Sequence, residues 1–185
     1  MNTNRRNFLK QACISGGCFC GFSFLASQHA LAQPNLEVDH AQKKLMQEWI
    51  SSLILSLNEQ TDEQLSRSIM KECAQTHYVQ LKMDELLQPY EGDLEKFNVF
   101  LRQEWGWKMD YQKDTGVLIA DENKNYCVCP MVNPEKGIKS PILCYCSEGI
   151  AELMFSKVVG HPVKATVISS IYRGNDRCKY QIELT

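Results

Sequence analysis

The spacing of apolar residues changes once along this 185-residue chain, at Gly106, and that change limits the fold more than any other feature. Before Gly106, apolar residues recur every three or four positions, as in amphipathic helices. After it, they alternate along short segments separated by turns, as in half-buried strands, with one helical stretch among them. Helices followed by mostly antiparallel strands predict an α+β fold, in which N-terminal helices pack on a mostly antiparallel sheet with one embedded helix.

Four helices are predicted before Gly106, and two of them have recognisable start signals. Thr61 and Gln64 form a capping box for the second helix, and Asp93 caps the fourth. The predicted helices cover residues 36–57, 61–77, 83–87 and 93–105.

The second half of the chain combines strands and turns. A hairpin is predicted over residues 107–111 and 116–120, followed by a short strand at 126–130. Residues 142–146 form either another extended piece or the beginning of a helix at 148–159, which Gly160 ends. Two paired strands, 163–172 and 178–184, then close the fold around a turn.

Residues 1–32 form a predicted signal peptide. Arg5 and Arg6 precede Phe8-Leu9-Lys10, and an apolar stretch follows that is too short to span a bilayer. The stretch ends in Ala30-Leu31-Ala32, the small-x-small pattern that a signal peptidase cuts.

This arrangement resembles the twin-arginine class of signal peptides, with Asn4 where that class usually has Ser or Thr. The resemblance implies that the twin-arginine export machinery recognises Arg5 and Arg6. We therefore expect a mature protein of residues 33–185, one cysteine-rich α+β domain, in the periplasm or otherwise exported.

The charge of the predicted mature chain excludes one class of partner. Removal of Arg5, Arg6 and Lys10 with the signal leaves 17 basic against 22 acidic residues, a net charge of −5. A nucleic-acid-binding surface needs a basic stripe, so we expect no nucleic-acid partner. No later segment is apolar enough to cross a membrane, so no membrane association is expected after cleavage.

Two Cys-x-Cys pairs, Cys127 with Cys129 and Cys144 with Cys146, carry the predicted chemistry. On a strand, residues two apart point to the same face, so each pair would present two sulfurs together. Four thiolates suit a tetrahedral zinc ion or an iron–sulfur cluster, with Cys178 as a possible additional ligand. The sequence leaves open disulfides between the pairs, because an even number of cysteines in an exported protein is typical of disulfides, and it leaves open free reactive thiols.

Cys73 and His77 are a second candidate site. Their spacing of four residues places both on one face of the predicted helix, where they could act as nucleophile and base. The alternative is a helical cysteine in the core beside a partly exposed histidine. His161 lies in a turn and is predicted to be exposed.

The last part of the chain contains two short motifs after its helix. Gly160 is followed by Pro162 and Val163 at the start of a strand, and Gly174 lies four residues before Cys178 in a closing turn. With these motifs, residues 144–184 resemble the 4-vinyl reductase domain and its relatives, including the aminothiazoline-carboxylate hydrolase-like proteins.

That resemblance implies an α+β domain that binds small hydrophobic ligands or tetrapyrroles, often with a zinc site. Cys178 matches the last zinc ligand of the phenol-sensing members, whereas Val167 and Ser170 occupy the other two positions. The zinc site of that family is therefore not expected here as a whole.

Together these features predict an exported domain that binds a metal or metal cluster through Cys127, Cys129, Cys144 and Cys146, beside a small-molecule pocket. Two alternatives stay open: a cysteine-dependent hydrolase or redox enzyme, and a disulfide-stapled binding protein without catalysis.

Overall fold

The computed structural model describes residues 36–131 and 140–184, and they adopt the predicted α+β architecture. The helices within these ranges are α1 (Leu36–Gln60), α2 (Glu63–Gln80), α3 (Met83–Leu87), α4 (Leu94–Glu104) and α5 (Cys144–Val159). The strands are β1 (Lys108–Gln112), β2 (Val117–Asp121), β3 (Lys164–Ser169) and β4 (Lys179–Glu183). Short 3₁₀ turns cover Gln88–Tyr90, Pro141–Leu143 and Ile171–Arg173.

The four strands form one antiparallel sheet in the order β1-β2-β4-β3. Their inward side chains alternate with outward ones, so that Leu118, Ala120, Tyr180 and Ile182 all lie in the core. This is the antiparallel sheet that the alternating pattern predicts.

Helix α5 is the centre of the fold because it packs against both α2 and β3. Gly149 permits a close approach to α2: a Cβ atom at this position would lie 2.6 Å from the Lys71 carbonyl oxygen and 2.7 Å from the Ala74 Cβ. On the side that faces the sheet, Phe155 is fully buried against Phe97 of α4, with ring centroids 5.3 Å apart.

A row of ionic contacts, which we call the seam, joins α5 to α2 and β3. The Glu148 carboxylate is fully buried; it accepts from Arg67 Nε at 2.8 Å, from Arg67 Nη2 at 3.0 Å and from the Val167 backbone N–H at 2.8 Å. One turn later, Glu152 pairs with Lys71 and accepts from the Ala165 N–H at 3.0 Å. The seam therefore ties both neighbours of α5 to its carboxylates.

The predicted helices are confirmed, with one correction to a cap. Asp62, and not Thr61, is the N-cap of α2, because its Oδ1 accepts from the Leu65 N–H at 2.8 Å. The Thr61 hydroxyl instead donates to the Leu57 carbonyl at 2.7 Å, at the end of α1. Asp93 caps α4 as predicted, accepting from the Lys96 N–H at 2.9 Å.

The predicted strand at 126–130 is wrong, because this segment is irregular in the structure. Both edges of β2 are already paired, one with β1 and one with β4, so the chain that leaves β2 finds no free edge there. Residues 142–146 prove to be the beginning of α5 and not an extended piece.

The predicted signal peptide, with Arg5 and Arg6, lies outside the described residues. From Leu36 onward the described residues belong to one compact unit. None of the helices in this part of the chain is both long enough and apolar enough to cross a membrane.

Candidate functional site: a cysteine-lined cavity

A cavity of about 530 Å³ lies between helices α2 and α5 and the end of the sheet. Its lining includes the C-terminal turn of α2, the first turns of α5, the turn between α4 and β1, the irregular segment after β2, and the start of β4. The apolar part of the wall includes Leu81, Met83, Trp105, Trp107, Leu143, Ile150, Ala151 and Met154.

All five cysteines that the sequence proposes as metal ligands line this cavity. Cys127 and Cys129 lie on the segment after β2, Cys144 and Cys146 on the first turn of α5, and Cys178 immediately before β4. The structure therefore brings the two Cys-x-Cys pairs together with the fifth cysteine.

The pairs do not present their sulfurs side by side as strand pairs would. Cys144 and Cys146 are helical, and residues two apart on a helix point in different directions. The Cys144 thiol donates to Ser170 Oγ at 3.1 Å, whereas the Cys146 sulfur lies 3.7 Å from His77 Nδ1.

Burial keeps the cavity thiols in their neutral form. Desolvation raises the pKa of Cys129 and of Cys178 to about 12, and that of Cys146 to about 11. It also raises the pKa of Cys127 and of Cys144. A wall of neutral thiols is only weakly polar, so it adds to the apolar character of the cavity.

The six cysteines in the described part of the chain are free thiols. Within residues 36–131 and 140–184, no group of three or more His, Cys, Asp or Glu side chains is placed to hold one metal ion. The metal site at Cys127, Cys129, Cys144 and Cys146 stays a prediction: its sulfurs share one cavity but are not arranged around one point.

Cys73 and His77 occupy one helix, α2, but they differ in surroundings. Cys73 is exposed, whereas His77 lies at the rim of the cavity. The His77 ring contacts Cys146 through Nδ1 and the Met131 sulfur through Nε2, the latter at 3.3 Å. The structure thus places the imidazole beside a cavity thiol, which the spacing along α2 does not predict.

Sequence reasoning missed the polar group of the cavity, the carboxylate of Glu122. This side chain follows β2 and is 8% exposed. It accepts a 2.7 Å hydrogen bond from the Tyr180 hydroxyl, and its backbone N–H donates to the Cys178 carbonyl at 3.0 Å. Burial raises the pKa of Glu122, while the hydrogen bond from Tyr180 acts in the opposite direction.

The sequence signal for Glu122 is an acidic residue directly after an apolar strand. That signal indicates a cavity carboxylate only once the position of Tyr180 on β4 is known. The aromatic residues Trp105 and Trp107 also line the cavity. His161 is exposed, as predicted.

Comparison with known proteins gives one family. The model of a family of unknown function, DUF6144, matches residues 14–185. This match overturns the resemblance to the 4-vinyl reductase domain, because it covers residues 144–184 as part of a different family. The short motifs around Gly160 and Gly174 mark a helix end and a turn, both at positive φ, and such positions favour glycine in unrelated folds.

A search of the curated proteins finds no match to this chain. Among solved structures, a trafficking protein particle complex subunit 3 from Naegleria fowleri, covalently bound to palmitic acid, is similar at 12% identity and a TM-score of 0.49. The match covers 79% of this chain and 96% of that chain. At this TM-score we draw nothing from it.

Proposed function

This chain belongs to DUF6144, a family of unknown function, and we propose that its residues 33–185 form an exported domain that binds a small, largely apolar molecule. The observation that carries the proposal is the cavity of about 530 Å³. Ligand cavities of small molecules have volumes of about 300–1,000 Å³ and mostly apolar walls with a few polar groups.

The wall of this cavity has that composition. Aromatic and aliphatic side chains supply most of it, the thiols are neutral at physiological pH, and the polar groups include Glu122, His77 and Ser147. An apolar molecule that fills the cavity would remove both its own surface and the wall from water, which favours binding by about 25 cal/mol per Å² of apolar area.

Tryptophan fluorescence tests the proposal directly. The chain has three tryptophans; Trp105 and Trp107 line the cavity, whereas Trp49 on α1 is 65% exposed. A Trp49→Phe variant therefore reports mainly on the cavity. We expect 1-octanol to change its fluorescence along a saturable curve, whereas a linear response without saturation contradicts the proposal.

A cavity-filling variant provides the matched test. Ala151 is 3% exposed and lines the cavity, so Ala151→Leu in the Trp49→Phe background should weaken octanol binding by about tenfold or more. Ala41→Leu on the exposed surface of α1 is the control and should leave binding unchanged. Thermal melting of both variants separates lost binding from lost folding.

Metal binding is the second candidate, and the convergence of five cysteines on one cavity favours it. The ion would draw the thiols together as thiolates and displace their protons. Protein purified after native export should then release zinc or iron when denatured with a chelator, and Cys129→Ser should lower the metal content, whereas Cys73→Ser should not. Protein that contains neither metal nor titratable free thiols would instead support disulfides.

Export is proposed from the sequence of residues 1–32, in which Arg5 and Arg6 are the recognition element. Lysine does not reproduce the planar, bidentate guanidinium, so changing both residues to lysine should leave the full-length precursor inside the cell. N-terminal sequencing of the exported wild-type protein should begin at Gln33. A sequence that begins at Met1 in the exported fraction would contradict cleavage.

A further inference from the structure

We infer that the cavity selects an apolar molecule with one positive charge, an organic ammonium ion, because Glu122 and three aromatic rings form one continuous part of its wall. This inference rests on the proposed function, since it names the ligand class of the same cavity.

The wall is continuous by direct contact. The rings of Trp105 and Trp107 lie 5.5 Å apart, the rings of Trp107 and Tyr180 lie 6.2 Å apart and nearly parallel, and the Tyr180 hydroxyl donates to Glu122 Oε1 at 2.7 Å. All four side chains line the cavity. Three aromatic rings and a carboxylate thus share one surface.

Backbone contacts hold this wall in place. The Glu122 N–H donates to the Cys178 carbonyl at 3.0 Å, which fixes the carboxylate beside β4. The Asn123 side-chain amide donates to the Gly106 carbonyl at 3.2 Å, which ties the segment after β2 to the turn that carries Trp105 and Trp107. The arrangement therefore exists before any ligand binds.

Among the described residues, no basic side chain forms an ion pair with the Glu122 carboxylate. The basic side chains of Arg177 and Lys179 lie at 3.4 Å and 3.7 Å from Asp121 Oδ2, on the neighbouring residue. Glu122 itself has the Tyr180 hydroxyl, and Lys124 acts on it only through its charge. A carboxylate that is mostly buried is unfavourable unless a cation pairs with it, and an ammonium group in the cavity would be that cation.

The other groups near Glu122 do not supply this charge. Cys178 and Tyr180, which face it from the start of β4, are neutral at physiological pH because burial raises the pKa of each. Asp121 adds negative charge from the end of β2. Aromatic rings also attract cations over their faces. Both the carboxylate and the rings of this wall therefore favour a cation over an anion.

Three unbranched ligands of eight carbons each isolate the effect of the charge: octylammonium, 1-octanol and octanoate. With the Trp49→Phe protein at neutral pH, we expect octylammonium to bind about tenfold more tightly than 1-octanol, and octanoate to bind more weakly than both. Equal or tighter binding of 1-octanol or octanoate would overturn the inference and leave the proposed function standing. Failure of all three to bind would overturn both.

Glu122→Gln keeps the shape of the side chain and an acceptor for Tyr180 but removes the charge. It should abolish the preference for octylammonium without weakening 1-octanol, whereas Glu85→Gln, on the exposed surface of α3, should change neither. A folded Glu122→Gln protein that keeps the preference would overturn the inference.

Discussion

Two buried carboxylates, Glu122 after β2 and Glu148 on α5, have very different surroundings. In the seam, Glu148 is held by both nitrogens of one arginine edge and by a backbone N–H of β3. In the cavity wall, Glu122 is held by a tyrosine hydroxyl, whereas Arg177 and Lys179 pair with the neighbouring Asp121. A buried carboxylate that has ion-pair and hydrogen-bond partners within the protein stabilises the fold. A buried carboxylate with few such partners is a candidate contact for a ligand.

Helix α5 contributes to both regions. Glu148, Gly149 and Glu152 face α2 and β3, whereas Cys146 and Met154 face the cavity. The seam can therefore be weakened or the cavity altered by substitutions a few residues apart on the same helix. The predictions below use that proximity.

The largest effect is expected at Arg67. Arg67→Leu would leave the fully buried Glu148 carboxylate without its cation, which typically costs about 3–5 kcal/mol; because the Arg67 side chain is itself 35% exposed, we expect a loss at the lower end of that range. Urea denaturation measures the change. Arg67→Lys keeps the charge but loses the paired hydrogen bonds, so its loss should be smaller. Equal stability of Arg67→Leu and wild type would show that the seam is not structural.

A smaller loss is expected at Gly149. A methyl group there would lie within 3 Å of the Lys71 carbonyl oxygen and the Ala74 Cβ, so α2 and α5 must move apart. Gly149→Ala should destabilise the protein by about 2 kcal/mol in spite of the better helix propensity of alanine. Ser52→Ala on the exposed face of α1 is the control, with an expected change within about 0.5 kcal/mol.

Local pattern was sufficient for much of the fold. The periodicity before Gly106, the Asp93 cap and the alternation in β2 and β4 depend on interactions between near neighbours, and each was visible in the sequence. The irregular segment after β2 was not, because it depends on β4 taking the free edge of β2. Competition for a strand edge is a property of the assembled sheet.

The candidate site, like the fold, is only partly predictable from the sequence. The cysteines were identified by residue type and spacing, and their meeting in one cavity follows from the fold. The contacts of His77 with Cys146 and of Glu122 with Tyr180 join residues distant in sequence, so no local pattern marks them. The motifs around Gly160 and Gly174 suggested the wrong family, because glycine at these positions reflects turn geometry that many folds share.

The next largest effect concerns the free energy of unfolding at alkaline pH, which depends on the Cys178 thiol in the cavity. Burial raises the pKa of Cys178 from an ordinary value of about 9 to about 12. The unfolded chain therefore loses this proton first, and the stabilisation that is complete below pH 9 is lost as the pH rises towards 12. Between pH 8 and 10 the free energy of unfolding of Cys178→Ser should fall by about 1 kcal/mol less than that of wild type.

The control for this slope is Cys73→Ser, because Cys73 is exposed. Its free energy of unfolding should follow the wild-type pH dependence between pH 8 and 10. Tyrosines ionise in the same pH range, but the variants and wild type contain the same tyrosines, so the tyrosine contribution cancels in the comparison. Parallel curves for Cys178→Ser and wild type would mean that the cavity is open to water at Cys178.

The smallest effect on stability is expected at Glu122. It tests directly whether this carboxylate differs from that of Glu148. Burial raises the pKa of its carboxyl group, so the folded state binds this proton more tightly than the unfolded state does. The resulting stabilisation is complete below the ordinary pKa of the group and is lost as the pH rises through the raised value. Loss of this proton therefore weakens the fold, and Glu122→Gln, which cannot ionise, should change the free energy of unfolding at pH 7 by less than about 0.5 kcal/mol or increase it. Glu148→Gln in the seam should lower it, since the neutral amide loses its attraction to Arg67. If Glu122→Gln destabilised the protein as much as Glu148→Gln, the cavity carboxylate would be a structural group like that of the seam. We expect the opposite: the charge of Glu122 does not contribute to the stability of the fold, and it is available to pair with a cationic ligand.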